Sequence, residues 1–329
     1  MAEQIVSNTY NFSHHQSHAL TPNFIIHSHS CYELYYFVSG DLSYLYDGTE
    51  ITPAPHSLMI ISPSTLHGIH VLSSRTYDRY TFHFTESFFP EDHRDRFVHL
   101  LPSLNTVRDK SSPIPFFVEH ADRFSAQQTL DEILALRNRD EVSQEFFAPI
   151  LLESLLSRLY LGSSSNEHFL PSGIVQDPPE LAPVLDYIRR HLSERITLDS
   201  LAEKFYLSRS QLNHLFRKHF NTSVMNYVSM QRLSYAQKLL TSGMSASEVA
   251  STVGCSDYST FYRSYTKHFG HPPKDDLGNS NVFPGTGGSD WVDLFPWAET
   301  AQRAPAARKP ALSVFPDIGF ENNAYDPLE

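Results

Sequence analysis

The chain has 329 residues and a formal net charge of −12, with 40% hydrophobic and 19% charged residues. That length suits two or three domains, and that composition suits a buried core more than a disordered chain. No apolar run nears the ~18 residues of a membrane span, and none reads as a signal peptide. The two cysteines, Cys31 and Cys255, exclude a disulfide framework and a four-cysteine zinc site, so a reducing cytoplasm is the expected location.

Residues 24–84 read as strands. Tyr32–Val38, Leu42–Tyr46, Ser57–Ile61 and Tyr80–Phe84 are rich in Tyr, Phe, Ile and Val. Turn signals separate them, Asp47-Gly48 being a hairpin signal. Short strands at this spacing predict a sandwich or small barrel. The Pro-rich stretch from Pro102 to Pro115 reads as a connection.

The period changes to helical over 121–161. Phe124, Leu130, Ile133, Leu134 and Leu136 lie in one helix. Phe146, Phe147, Ile150, Leu151, Leu155, Leu156 and Leu159 lie in a second, apolar over more than one stripe. Residues 162–179 have linker composition. From Leu181 the chain is helical: Leu181, Val184, Leu185, Ile188 and Leu192 share a face, and Thr197 suits an N-cap.

An internal repeat follows. Leu212, Phe216, Lys218, His219 and Phe220 recur as Phe261, Tyr265, Lys267, His268 and Phe269, and Leu201-Ala202 recurs as Val249-Ala250. Each copy reads as helix, short turn, helix, which suggests two helix-turn-helix units rather than a hairpin duplicated only for packing. Charge is segregated in the same way. Residues 1–179 carry a net −11, residues 180–277 a net +3, and residues 278–329 a net −4. The basic excess therefore lies on the repeat, where phosphates could be bound. After Pro272-Pro273 the pattern dissolves, and 278–329 read as a flexible tail holding Trp291 and Trp297.

The repeat resembles the DNA-binding domain of the AraC/XylS family of bacterial transcription regulators. The resemblance rests on residues 196–202, Leu207-Ser208, residues 212–218, Ala250, Val253-Gly254, Asp257-Tyr258-Ser259, residues 261–265, and Lys267 through Pro273. Two positions depart from the family pattern: Cys255 replaces an aromatic, and Asp276-Leu277 replaces Tyr-Arg. The second departure is expected to shorten the last helix and remove a phosphate contact.

The front half is similar to the cupin-type sensor that the family often carries. The implied fold class is multidomain α+β: a cupin-like β-barrel over 1–120, a helical dimerisation segment over 121–161, a linker, and an all-α double helix-turn-helix domain over 180–277. His27, His29, Glu33 and His67 converge in such a barrel and are expected to bind an effector, sugar-like by resemblance, through hydrogen bonds. The same four could hold a metal, but the metal-free reading is preferred, and no cofactor is expected. Tyr35, Phe37 and Tyr44 read as barrel core.

For base reading, the first candidate helix, Ser208–His219, leaves Ser210, Asn213, His214 and Arg217 outward. The second, Asp257–His268, leaves Tyr258, Ser259, Tyr262 and Arg263 outward. Arg209, Lys218 and Lys267 suit phosphates. The expected partners are double-stranded DNA, a small effector, a second copy of the chain and RNA polymerase, with no membrane. The competing readings are a metal-dependent cupin enzyme and an adaptor regulated only by protein contacts. The enzyme reading does not explain the duplicated helix-turn-helix, and ligand-induced thermal stabilisation separates a regulator with an effector from the adaptor.

Overall fold

The computed structural model describes residues 2–7, 9–18, 25–94, 116–163, 174–175, 180–255 and 257–278. The expected connection at 102–115, most of the expected linker and all but the first residue of the expected tail, with Trp291 and Trp297, lie outside the described residues.

The front half is two antiparallel sheets. The strands are β1 (Ala2–Val6), β2 (Tyr10–Ser17), β3 (Ile25–His27), β4 (Tyr32–Ser39), β5 (Leu42–Tyr46), β6 (Thr49–Ile51), β7 (Ser57–Ile61), β8 (His67–Val71), β9 (Tyr77–Phe84), β10 (Phe116–Val118) and β11 (Ile174–Val175). One sheet runs β1-β2-β9-β4-β7-β10 and the other β11-β6-β5-β8-β3. Alternation along the strands divides the apolar residues between two cores. Tyr35, Phe37, Tyr44, Ile51, Met59, Ile61, Tyr77 and Phe117 fill the space between the sheets. Tyr10, Phe12, Leu34, Tyr36, Tyr80, Phe82 and Phe84 face the other way, against two helices.

Those helices are α1 (Ala126–Ala135) and α2 (Glu141–Ser163). Leu130, Ile133 and Leu134 of α1 and Leu152, Leu155, Leu156 and Leu159 of α2 close the outer core. The second stripe of α2 meets solvent: Val142 is 76% exposed and Phe146 62%.

The helical half comprises α3 (Ala182–Arg190), α4 (Leu198–Lys204), α5 (Arg209–Phe220), α6 (Val224–Thr241), α7 (Ala246–Thr252) and α8 (Tyr258–Phe269). Local capping sets the boundaries. Thr197, Ser208 and Ser245 each accept from the backbone N–H three residues on and form capping boxes. Asp257 caps α8 by accepting from Thr260 N at 2.7 Å. Ser208 and Asp257 are therefore caps, and α5 and α8 begin one residue later than the sequence pattern suggested. Asn221 and Gly270, both left-handed, end these two helices.

The two halves are packed together. Leu45 and Leu66 of the strand half lie in one core with Leu181, Val184, Leu185, Leu212, Phe216 and Tyr227. The Asp47-Gly48 hairpin abuts α3 and α6. Arg189 donates to the Asp47 carbonyl at 3.2 Å, and Gln231 donates to the Asp47 carboxylate at 3.4 Å. Gly48, at φ +89°, sits where a Cβ would collide with the Arg189 guanidinium.

Candidate ligand site and nucleic-acid interface

Strand register assembles the ligand site. His27 on β3 is directly opposite His67 on β8, in one sheet. Glu33 on β4 is directly opposite His83 on β9, in the other. The two cross-strand pairs meet across the interior, and His29 joins them from the segment between β3 and β4. Glu33 Oε2 lies 3.0 Å from His29 Nε2, 3.0 Å from His67 Nε2 and 3.5 Å from His83 Nε2. The four expected residues thus come together, and all but His27 are buried.

His83 was missed in the sequence. Its signal is period two along β9: Arg79, Thr81 and His83 share the face opposite to Tyr80, Phe82 and Phe84. Burial opposes ionisation of Glu33, but the three surrounding imidazoles hold its carboxyl well below the usual range. Burial also lowers the His29 imidazole to about 4, against the pull of Glu33. The adjoining Cys31 thiol is pushed up by burial. Beyond the cluster, aromatic side chains occupy the interior: Tyr35 and Tyr44 have ring centroids 5.0 Å apart, and Tyr35 and Tyr77 share a 2.8 Å hydrogen bond.

On α5, Ser210, His214 and Arg217 are exposed. Arg209, also exposed, pairs with Asp199. Lys218 lies 3.8 Å from Glu180. Asn213 departs from the outward position expected for it. It is half-buried, and its amide oxygen accepts from Val224 N at 3.2 Å, tying α5 to the start of α6. On α8, Tyr258, Ser259, Tyr262, Arg263 and Lys267 are exposed. Arg263 donates back to the Ser259 carbonyl at 3.3 Å. A polar groove not anticipated from the sequence lies beside α5, lined by Arg217, Asn221, Thr222, Ser223 and Asn226. The last three surround the N-terminus of α6, where Val224 N donates to Asn213 and Asn226 N to the Ser223 hydroxyl at 3.3 Å.

Asp276 does not leave a gap where the expected Tyr-Arg would stand. Its carboxylate is fully buried, accepting from Gln237 Nε2 at 3.1 Å and from the Tyr265 hydroxyl. A short 3-10 turn, Pro273–Asp276, delivers it there.

Residues 9–160 match the family model of the AraC-like ligand binding domain, and residues 201–277 match that of a helix-turn-helix domain. The uncharacterized HTH-type transcriptional regulator YdiP of Escherichia coli (strain K12) is 30% identical over 36% of this chain and 40% of its own. HTH-type transcriptional regulator GbdR of Pseudomonas aeruginosa (strain UCBPP-PA14) is 37% identical over 30% of this chain and 27% of its own. The match therefore spans less than half the length of these two relatives. The XylDLEGF operon transcriptional activator of Pseudomonas putida is 25% identical over 75% of each chain. With a ligand-binding match on the strand half and a helix-turn-helix match on the helical half, the chain belongs to the AraC/XylS family.

Proposed function

We propose that the protein is a DNA-binding transcriptional regulator, working as a homodimer in the cytoplasm, that reads operator DNA through α5 and α8 and answers to a ligand received by its strand half. The observation that carries this reading is the pair of capped helices with exposed polar faces, joined by α6. At ~1.5 Å per residue, α6 spans about 27 Å. Adjacent major grooves on one face of DNA are about 34 Å apart, so one linking helix can serve both, with modest bending of the duplex. His214, Arg217, Tyr262 and Arg263 are then the base readers, with Ser210, Tyr258 and Ser259 beside them. Arg209, Lys218 and Lys267 hold phosphates. RNA polymerase is the further partner such a regulator would meet.

Binding titrations on operator and random duplexes test this. Arg263→Ala should cost about 1–3 kcal/mol on the operator and little on random DNA, whereas Lys218→Ala should weaken both and lower the salt slope by about 1. Equal losses on the two duplexes for Arg263→Ala would remove its base-reading role.

The second apolar stripe of α2 supports self-association. Val142, Phe146, Phe147, Ile150 and Leu161 are exposed on one helix whose other side is already used. A contiguous apolar patch of this kind marks an interaction surface, and a second copy supplies the same stripe by two-fold symmetry. Phe146→Asp with Ile150→Asp should convert the dimer to a monomer in sedimentation, with the fold retained because neither side chain is in the core.

A sugar-like effector would have to part the cluster atoms, which face one another, and the aromatic residues behind them. A metal-dependent enzyme would use the same cluster but leaves the two helix-turn-helix units without a purpose.

A further inference from the structure

Both tryptophans of the chain, Trp291 and Trp297, fall in one short acidic stretch beyond the described residues. Asp290, Trp291, Asp293, Leu294, Phe295 and Trp297 put four large apolar residues and two carboxylates into eight positions. No Lys or Arg stands between Lys274 and Arg303. Large aromatic residues beside carboxylates suit a surface that offers aromatic faces beside cations.

α8 offers that surface. Tyr258 and Tyr262, one turn apart, are 45% and 40% exposed, with ring centroids 6.2 Å apart. Arg263 and Lys267, also one turn apart, form the exposed stripe beside them. α5, its counterpart in the repeat, exposes Ser210, His214, Arg217 and Lys218 but no Tyr, Phe or Trp, because Phe216 and Phe220 are buried. The duplicated fold thus presents a polar basic face on one copy and an aromatic basic face on the other.

The chain leaves the fold beside this helix. The 3-10 turn Pro273–Asp276 follows α8 closely, and its Asp276 accepts from Tyr265 of α8. Leu277 is exposed, and Gly278 N donates to the Leu240 carbonyl at 2.9 Å. The steps from Gly278 to Asp290 span about 40 Å when fully extended. α8, with 12 residues, is about 18 Å long. The stretch is therefore within reach of every turn of α8, and Gly285, Gly287, Gly288 and Ser289 give the connection linker composition.

We infer that residues 290–297 dock on the exposed face of α8 in the same molecule and, on the reading of α8 as a DNA-reading helix, compete there with DNA. Trp291 and Trp297 pack on Tyr258 and Tyr262, and the two carboxylates meet the cationic stripe. Charge favours the match: residues 180–277 carry a net +3 and residues 278–329 a net −4. Such a contact need not be strong. A short tether holds the segment at an effective concentration of about 1 mM. With an intrinsic Kd of about 0.1 mM the face is covered roughly nine-tenths of the time, and the apparent affinity for DNA falls about tenfold.

The test uses the full chain, whose tryptophan emission comes from this segment alone. Native emission should lie to the blue of the emission in denaturant and resist acrylamide quenching. Identical emission from the native and the unfolded chain would overturn docking. Tyr258→Ala with Lys267→Glu, both at exposed positions, should move the native emission to the red while circular dichroism is unchanged. An unmoved emission would put the segment elsewhere and overturn the α8 site. The emission should not vary with protein concentration, as a contact within one molecule requires. A blue shift that grows with concentration would assign the segment to a second copy and overturn the intramolecular form. Trp291→Ala with Trp297→Ala keeps every charge of the tail, so altered long-range repulsion cannot explain its behaviour. It should bind random and operator duplexes alike about tenfold more tightly than wild type. Unchanged affinity, or a wild-type emission unmoved by saturating duplex, would overturn the competition. If the emission results hold but neither protein binds DNA, the docking stands and the regulator reading alone fails.

Discussion

Replacing Asp276 with Ala should destabilise the helical half by about 2–6 kcal/mol, because two buried donors lose the acceptor they share. The carboxylate is fully buried and serves two donors, Gln237 Nε2 and the Tyr265 hydroxyl, with His271 Nε2 3.7 Å away. Gln237 and Tyr265 are themselves fully buried, so neither finds water when the acceptor is gone. Each stranded donor costs about 1–3 kcal/mol. For a domain of this size the melting temperature should fall by more than about 10 °C. Asp276→Asn keeps the shape and one acceptor oxygen, so it should lose clearly less. Thermal unfolding followed by circular dichroism compares the three proteins; an Ala variant as stable as wild type would mean that the network contributes nothing.

Leu45→Ala with Leu66→Ala should separate the unfolding of the two halves. Both side chains are about 1% exposed and lie in the helical half's core, although the strand half supplies them. A buried Leu→Ala change costs about 2–5 kcal/mol, and here the cost falls on the contact between the halves. Among the described residues, the polar contacts that remain are those of Ser28 with His268, Asp47 with Arg189 and Gln231, and Ser64 with Gln237 and Ser234. Calorimetry should show one transition in the wild type and two in the double variant, the helical half melting earlier. A single transition in both would show that the halves are not joined through these leucines.

The sequence displayed its elements unevenly. β4, β5, β7 and β9 are dense in aromatic and branched residues and could be read directly. β2 hides Tyr10 and Phe12 among Ser and His, and β8, with His67, Gly68 and His70, becomes a strand through its pairing with β3 and β5. The helical repeat was legible because 3.6-residue periodicity and the 49-residue echo reinforce each other. Its boundaries slipped by one where Ser208 and Asp257 turned out to be caps, a matter of backbone geometry rather than hydrophobic pattern. Four cluster residues were legible from type, spacing and the resemblance to a cupin, although His29 lies beyond the end of β3 rather than sharing a strand face with His27. His83 required the β4–β9 register, which no local window contains. The role of Asn213 depends on how the chain turns at 221–223 into α6, and that of Asp276 on a side chain 39 residues away. Contacts between the halves leave no periodic trace at all.

The segregated charge acquires a consequence once the halves are seen to be fastened together. A net −11 over residues 1–179 and +3 over 180–277 would average out in a loosely tethered molecule. Pinned by Leu45, Leu66, Asp47 and Ser64, those of their charges that lie on described residues form a fixed electric dipole. Near a duplex this dipole exerts a torque, turning the basic end toward the phosphates and the acidic end outward within the ~10 Å reach of the field at ordinary salt. The acidic end also repels DNA, shortening the dwell on sequences that offer only phosphates. Discrimination between operator and bulk genome would thus begin before any base is touched, in the way the whole particle is polarised.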